Sequence, residues 1–310
     1  MPDVSLQDIH SPAYCPPHEC KDLRNFTTHT PPQRHDEIMP KLSVNELSTY
    51  RWSFEEDVFA YAKHGFDSIG IWRAKLAEYG TEKGAELIQE NGLRVSSVGW
   101  AGGFTGGDGR SFNDSIHDAL DAVDLAAQLG AECLIVVSGD RNNHTGSHSR
   151  RLLRQALTEV CEAAAALHLD VALEPMHLGA GTQGCFLNNI QNTIDAIGEI
   201  SWPGLGLVFD SYHLGHDPNL FQWLPDVAPL VRLVQLGDAA HVPMGEQDRL
   251  LLGQGKQDLA AIVECFEDAG YDGSFELELI GESIEHLDYD QMLEHSFQAL
   301  NALVRTPAES

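Results

Sequence analysis

Apolar positions along this chain alternate between a two-residue and a helical period, and the switch recurs eight times. Short β-rich runs stand at Leu42–Asn45, Ser68–Trp72, Arg94–Val98, Cys133–Ser138, Val171–Glu174, Gly206–Asp210, Val231–Gln235 and Phe275–Leu279. The intervening stretches read as amphipathic helices. Residues 113–129 place Ile116, Leu120, Val123 and Ala127 on one face and Asp114, Asp118 and Asp121 on another. Residues 149–168 do the same with Leu153, Leu157, Val160, Ala164 and Leu167. Gly65, Gly92, Gly130 and Gly270 sit where a left-handed residue would close a helix.

Eight strand–helix units in a row predict a closed (β/α)8 TIM barrel, an α/β fold, over residues 41–310. No G-x-G-x-x-G follows the first strand, which argues against an open dinucleotide-binding sheet. Residues 1–40 carry seven prolines and no sustained periodicity, and read as an irregular N-terminal extension. Its His10, Cys15, His18 and Cys20 match no closed zinc spacing.

Composition narrows the function classes. The 310 residues are 43% apolar, enough for a sizeable core. Asp and Glu number 47 against 19 Lys and Arg, a formal charge of −28. Phosphate backbones and anionic lipids would repel such a chain, so neither nucleic acid nor membrane is an expected partner. There is no apolar run of about 18 residues and no basic-then-apolar leader pattern, and the six cysteines read as reduced thiols. A cytoplasmic location is the simplest expectation. Barrels of this kind often form homo-oligomers, and the sequence leaves that open.

Barrel active sites form at the C-terminal ends of the strands. The last four strands end in metal-capable side chains: Glu174, Asp210, Gln235 and Glu278. If Glu174, Asp210 and Glu278 point inward, then Val171, Leu173, Leu207, Phe209, Phe275, Leu277 and Leu279 face the helices, as barrel strands require. A one-residue slip would drive the carboxylates into the helix–sheet core. Converging carboxylates repel one another, and a divalent cation resolves the repulsion. Two Glu, one Asp and an amide oxygen suit Mn²⁺ first, with Mg²⁺ or Co²⁺ as alternates to it. The plainer alternative is that each acid caps a helix or meets an Arg. Glu276, one layer deeper, reads as part of a buried polar network.

The segments Glu174-Pro-Met-His177, Asp210-Ser-Tyr-His213, Gln235-Leu-Gly-Asp238, Arg249 with Gly253-Gln-Gly255, and Gly270-Tyr-Asp-Gly273 before Glu278 resemble the xylose isomerase-like TIM-barrel superfamily, in particular its sugar phosphate isomerase/epimerase group. Gly65-Phe-Asp-Ser-Ile-Gly-Ile-Trp-Arg73 resembles the same group, and the likeness runs from about Leu42 to Leu300. It implies one Mn²⁺-type site on Glu174, Asp210, Gln235 and Glu278. It also implies Glu174 and Glu278 as the acid/base pair, with His177, His213 and Arg249 near substrate oxygens. Many members carry His where this chain has Gln235; hydroxypyruvate isomerases and dehydroshikimate dehydratases carry Gln.

With these residue types a metal would acidify a C–H beside a carbonyl, and the two glutamates would move the proton through an enediolate. Return of the proton to the neighbouring carbon gives isomerisation, and return to the other face gives epimerisation. Loss of a β-substituent makes a lyase of an inosose, a cyclic keto-acid or an oxidised glycoside. The substrate class is a keto-sugar or related polyol. A silent carbohydrate-binding barrel is a third alternative, and a zinc-dependent endonuclease is disfavoured by the acidity. Trp72, Trp100 and Phe104 are candidate walls for a sugar face, and the glycine-rich run Gly102–Gly109 is a candidate lid. His144, in the loop Arg141-Asn-Asn-His144 after the fourth strand, is a further candidate substrate contact. Arg150, Arg151 and Arg154 read as a surface pairing feature.

Overall fold

The computed structural model describes residues 40–180, 185–245 and 247–305. Eight parallel strands close on themselves in chain order: β1 (Lys41–Asn45), β2 (Ser68–Trp72), β3 (Arg94–Gly102), β4 (Cys133–Val137), β5 (Asp170–Glu174), β6 (Leu205–Asp210), β7 (Val231–Leu236) and β8 (Ser274–Leu277). The fold is the (β/α)8 barrel that the periodicity predicts. Apart from Pro40, the N-terminal extension, with His10, Cys15, His18 and Cys20, lies outside the described residues.

Helix boundaries follow local chemistry. Ser53 and Glu56 form a reciprocal capping box at the start of Phe54–His64, as Ser111 and Asp114 do for Phe112–Gln128. The four punctuating glycines all have positive φ. Two strands depart from their expected ends by more than one residue. β3 continues to Gly102, so Trp100 lies within it. β8 stops at Leu277, although the Glu278 N–H still donates to Leu236 O at 3.1 Å.

Alternation along the strands sorts side chains into two cores. Val171, Leu173, Leu207, Phe209, Phe275 and Leu277 join the large cluster under the helices, while Cys133, Ile135, Ala172, Val208 and Leu233 form a separate cluster inside the barrel. That inner cluster fills only part of the barrel. The remainder is polar and centres on Glu276, which is fully buried. Its Oε1 accepts from Asn45 Nδ2 at 2.9 Å and Gln235 Nε2 at 3.0 Å, and its Oε2 from Ser96 Oγ at 2.7 Å and Ser97 Oγ at 2.8 Å. Gly70 makes room for it, because a Cβ there would run into the carboxylate. Four donors from β1, β3 and β7 thus converge on one anion of β8, and the inner wall is tied across the barrel.

Removing the acceptor strands four buried donors. Glu276→Ala is expected to destabilise the fold by about 3 kcal/mol or more, measured by chemical denaturation, whereas a substitution at exposed Glu264 should stay within about 0.5 kcal/mol.

Candidate active site

The side chains expected to converge do so, with one addition that changes their electrostatics. Asp210 ends β6 and is fully buried. Arg249 reaches it from the loop after β7, donating Nη1 to Oδ1 at 3.1 Å and Nη2 to Oδ2 at 2.8 Å. The same guanidinium meets Glu278 Oε1 at 3.2 Å and the Glu278 carbonyl at 3.3 Å. Arg249, expected beside substrate oxygens, is on the cavity wall and lies against the carboxylates as a counter-ion, 1% exposed, with its Cζ 4.8 Å from the Tyr212 ring centroid. For Asp210, the plainer expectation of an acid met by an Arg therefore holds in part.

How the loop delivers Arg249 is visible in the motif around it. Asp238 accepts backbone N–H bonds from Ala239, Gly253, Gly255 and Gln257. Leu250 bridges back to Asp238, so the chain doubles over the barrel mouth. A side chain at Gly255 would collide with the Asp238 carboxylate, and one at Gly237 would press on Arg249 and the Glu278 carbonyl. The Gln235-Leu-Gly-Asp238 and Gly253-Gln-Gly255 segments are thus parts of one clamp.

One arginine does not neutralise the cluster. Burial pushes the Glu174 carboxyl well above its usual range, and Glu278 and Asp210 push it further. Burial also raises Glu278, to about 8, against the lowering pull of Arg249. Burial opposes the Arg249 charge, but Asp210 and Glu278 hold the guanidinium more firmly protonated than usual. His213 is pushed down to about 4, first by burial and then by Arg249 and His177, despite the opposing pull of Asp210. It is therefore neutral at physiological pH.

Two buried polar atoms in the cluster lack partners. Gln235 donates Nε2 to Glu276, which orients its amide and leaves Oε1 without a donor. His213 accepts the His177 backbone N–H on Nδ1 at 3.3 Å, so the neutral ring carries its proton on Nε2. That Nε2 has no hydrogen-bond partner and stands 3.7 Å from Asp210 Oδ2 and 4.0 Å from Glu174 Oε1. Ligand atoms of Glu174, Asp210 and His213 lie within 4.8 Å of one another. An orphaned amide oxygen beside surplus buried carboxylates is the donor set of a hard divalent cation, and these residues fit one. The Nε2–H tautomer makes His213 a hydrogen-bond donor instead of a ligand.

A cavity of about 280 Å³ opens at this end of the barrel. Glu174, His213, Gln235, Arg249 and Glu278 line it together with Trp72 and Trp100, and the Gly99–Trp100 peptide is cis. Sequence reasoning missed Asn45, Leu47, Met176, Gln247 and Ile280, which also line it. Position at a strand end or within three residues beyond it was the available signal for all but Gln247, whose placement depends on the Asp238 clamp. His177 is outside the lining: its backbone N–H holds His213, and its Nδ1 accepts from Gly179 N at 3.0 Å.

Other expectations are corrected. His144 is not brought to the cavity. Its Nε2 lies 3.2 Å from Thr105 O and its ring packs 4.6 Å from His148, because the loop after β4 folds outward onto the loop after β3. Phe104 is fully buried in the outer core and walls nothing. The glycine-rich run is pinned in place: Thr105 Oγ1 donates to Asp140 O, Asn142 Nδ2 to Thr105 O, and Arg110 Nη2 to Gly102 O. None of Gly102–Gly109 lines the cavity in this structure. Arg150 pairs across helices with Asn192, and Arg151 with His148 of its own helix.

Comparison with known proteins bears on this arrangement. The family described as xylose isomerase-like TIM barrel matches residues 58–303. The inosose isomerase of Bacillus velezensis is 22% identical over 275 residues, 85% of this chain and 97% of that protein. The ketose 3-epimerase of Arthrobacter globiformis is 27% identical over 177 residues, 56% of this chain and 57% of its own length. The 3-dehydroshikimate dehydratase of Pseudomonas putida is 24% identical over 237 residues, 73% of this chain and 36% of that one. A solved structure of an IOLI protein with a bound zinc atom has a TM-score of 0.75 at 22% identity, covering 85% of this chain and 98% of its own, a likeness of fold. No helix among the described residues is long and apolar enough to cross a membrane.

The raised Glu278 carboxyl gives stability a definite pH slope. With a folded value of about 8 against an ordinary 4.5, the folded state holds a proton that the unfolded chain has released. Metal-stripped protein should therefore lose stability, by up to a few kcal/mol, as pH rises from about 4.5 to about 8. Added Mn²⁺ should flatten or reverse that slope, as followed by denaturant midpoints at each pH.

Proposed function

The chain belongs to the xylose isomerase-like TIM-barrel family, and from that membership we propose that it is a divalent-metal-dependent isomerase or epimerase of a keto-sugar or related polyol. The likeness to an inosose isomerase across 97% of that protein supports the reaction class, and so does the likeness to a ketose 3-epimerase. The observation that carries the reading is the Glu174–Asp210–Gln235–Glu278 cluster, with surplus buried acid and an unpartnered amide oxygen.

Glu174, Asp210, Gln235 and Glu278 would hold one divalent cation, with Mn²⁺ preferred. When bound, that ion supplies Lewis acidity to a carbonyl and its neighbouring hydroxyl. The chain's own groups do the rest. Glu174 and Glu278 both line the cavity, and burial raises both carboxyls above their usual range, which favours a carboxyl that can hold and release a proton. One, ionised, takes the proton beside the carbonyl to give an enediolate, and the other, protonated, gives its own proton to the neighbouring carbon or the opposite face; exchange with solvent resets the pair. His213, with its proton on Nε2, donates to a substrate oxygen, and the His177 backbone keeps it in that tautomer. Arg249 fixes the positions of Asp210 and Glu278. Trp72 and Trp100 exclude water from one side.

A lyase acting through the same enolate is the second reading, favoured by the likeness to a dehydratase. Proton exchange separates the two. An isomerase or epimerase moves solvent deuterium into a ketose of unchanged formula in D₂O, whereas a lyase yields an unsaturated product with ultraviolet absorbance.

Elemental analysis should find about one divalent cation per chain, lost in the Glu174→Gln/Asp210→Asn double variant. Glu174→Gln and Glu278→Gln singly should each lower turnover by about 10²–10⁴-fold while the protein stays folded. Unchanged metal content in the double variant, or full turnover in either single one, would overturn the reading.

A further inference from the structure

The cavity has two unlike halves. The strands and turns of β1–β4 line it with Leu47, Ile71, Trp72, Trp100, Ile135 and Val137, all of them carbon surface apart from the indole nitrogens. The acids, the Gln235 and Gln247 amides and the imidazole all come from β5–β8 and the loop after β7, with Met176 and Ile280 as the carbon surface on that side. Asn45 is the one polar side chain on the first half, and each end of its amide is held inside the fold: Nδ2 donates one N–H to Glu276, and Oδ1 accepts from Leu47 N at 3.0 Å.

Charge is distributed as unevenly. Arg249 is the one Arg or Lys among the described residues lining the cavity, and both its terminal nitrogens are engaged by Asp210 and Glu278. One divalent cation together with Arg249 would just balance Glu174, Asp210 and Glu278. No second Arg or Lys among the described lining residues remains to answer the charge of a phosphate or carboxylate on the ligand, and a buried charge without a counter-charge is strongly penalised.

The carbon wall discriminates in a second way. A polyol hydroxyl set against it gives up its water and gains no partner, whereas a C–H face or a methyl group loses nothing there. Aromatic faces such as Trp72 and Trp100 accept such C–H surfaces.

We propose that the substrate is uncharged and unphosphorylated, and that its end remote from the reacting carbonyl presents C–H or methyl groups, not hydroxyls, to the β1–β4 wall. This rests on the isomerase/epimerase reading, which puts the carbonyl at Glu174 and Glu278.

Three ketoses differing at a single carbon test it: 6-deoxy-D-fructose, D-fructose and D-fructose 6-phosphate, titrated calorimetrically into the full chain loaded with Mn²⁺. The deoxy sugar should bind at least as tightly as D-fructose, and the phosphate about tenfold more weakly or worse. The inference is overturned if the phosphate binds as tightly as D-fructose, if the deoxy sugar loses about tenfold, or if no neutral ketose binds. Exchange of the α-proton in D₂O, followed by NMR on the same mixtures, keeps the two proposals apart. Neutral ketoses that bind in the expected order without exchanging would sink the isomerase/epimerase reading and leave the neutral, carbon-faced pocket standing.

Discussion

Crowded negative charge in a space with little water is the constraint around which this barrel is organised. Glu174, Asp210, Glu276 and Glu278 all face inward from β5, β6 and β8 with its extension, and each is at least nine-tenths buried. The chain meets the repulsion in different ways at different depths. Deep in the barrel, four neutral donors surround Glu276 and leave it no valence for anything else. At the mouth a single guanidinium serves both Asp210 and Glu278, and Glu174 has no cation of its own. Charge is fully answered where the barrel needs rigidity and left in surplus where a ligand can arrive.

That gradient explains the loop after β7. A buried arginine between two carboxylates is costly unless its geometry is held closely. The Asp238 clamp supplies that hold, and Gly237 and Gly255 are the positions where a Cβ would spoil it. The Tyr212 ring under the guanidinium completes the seat, and the Tyr212 hydroxyl accepts the Asp248 N–H beside it. The loop therefore belongs to the electrostatics of the site as much as to its cover.

Much of the architecture was readable from the order of residues, because parity in a strand and a 3.6-residue period in a helix are local properties. The strand runs, the inward aim of Glu174, Asp210 and Glu278, and the network role of Glu276 follow from them. Partners reached across the barrel were harder to read. Ser96 and Ser97 could be seen as small polar residues in β3, but nothing local says that they bond a glutamate 180 positions away. Arg249 was recognisable, yet its turn toward Asp210 depends on a loop closed by backbone hydrogen bonds that carry no compositional signature. His144 failed for the same reason in reverse: proximity to a strand end is a good guide only when the loop folds inward, and this one folds onto Thr105.

The split between a carbon wall from β1–β4 and reactive groups from β5–β8 has a consequence for how such a barrel can change. In the proposed reading, shape selection and bond-making chemistry fall in successive halves of the polypeptide, which meet where β4 pairs with β5 and where β8 pairs with β1. Exchanging the first four units between two barrels of this kind would transplant molecular taste while leaving the reaction in place, and the seam for such a graft lies in the long helix Gly146–Ala166 that links the halves.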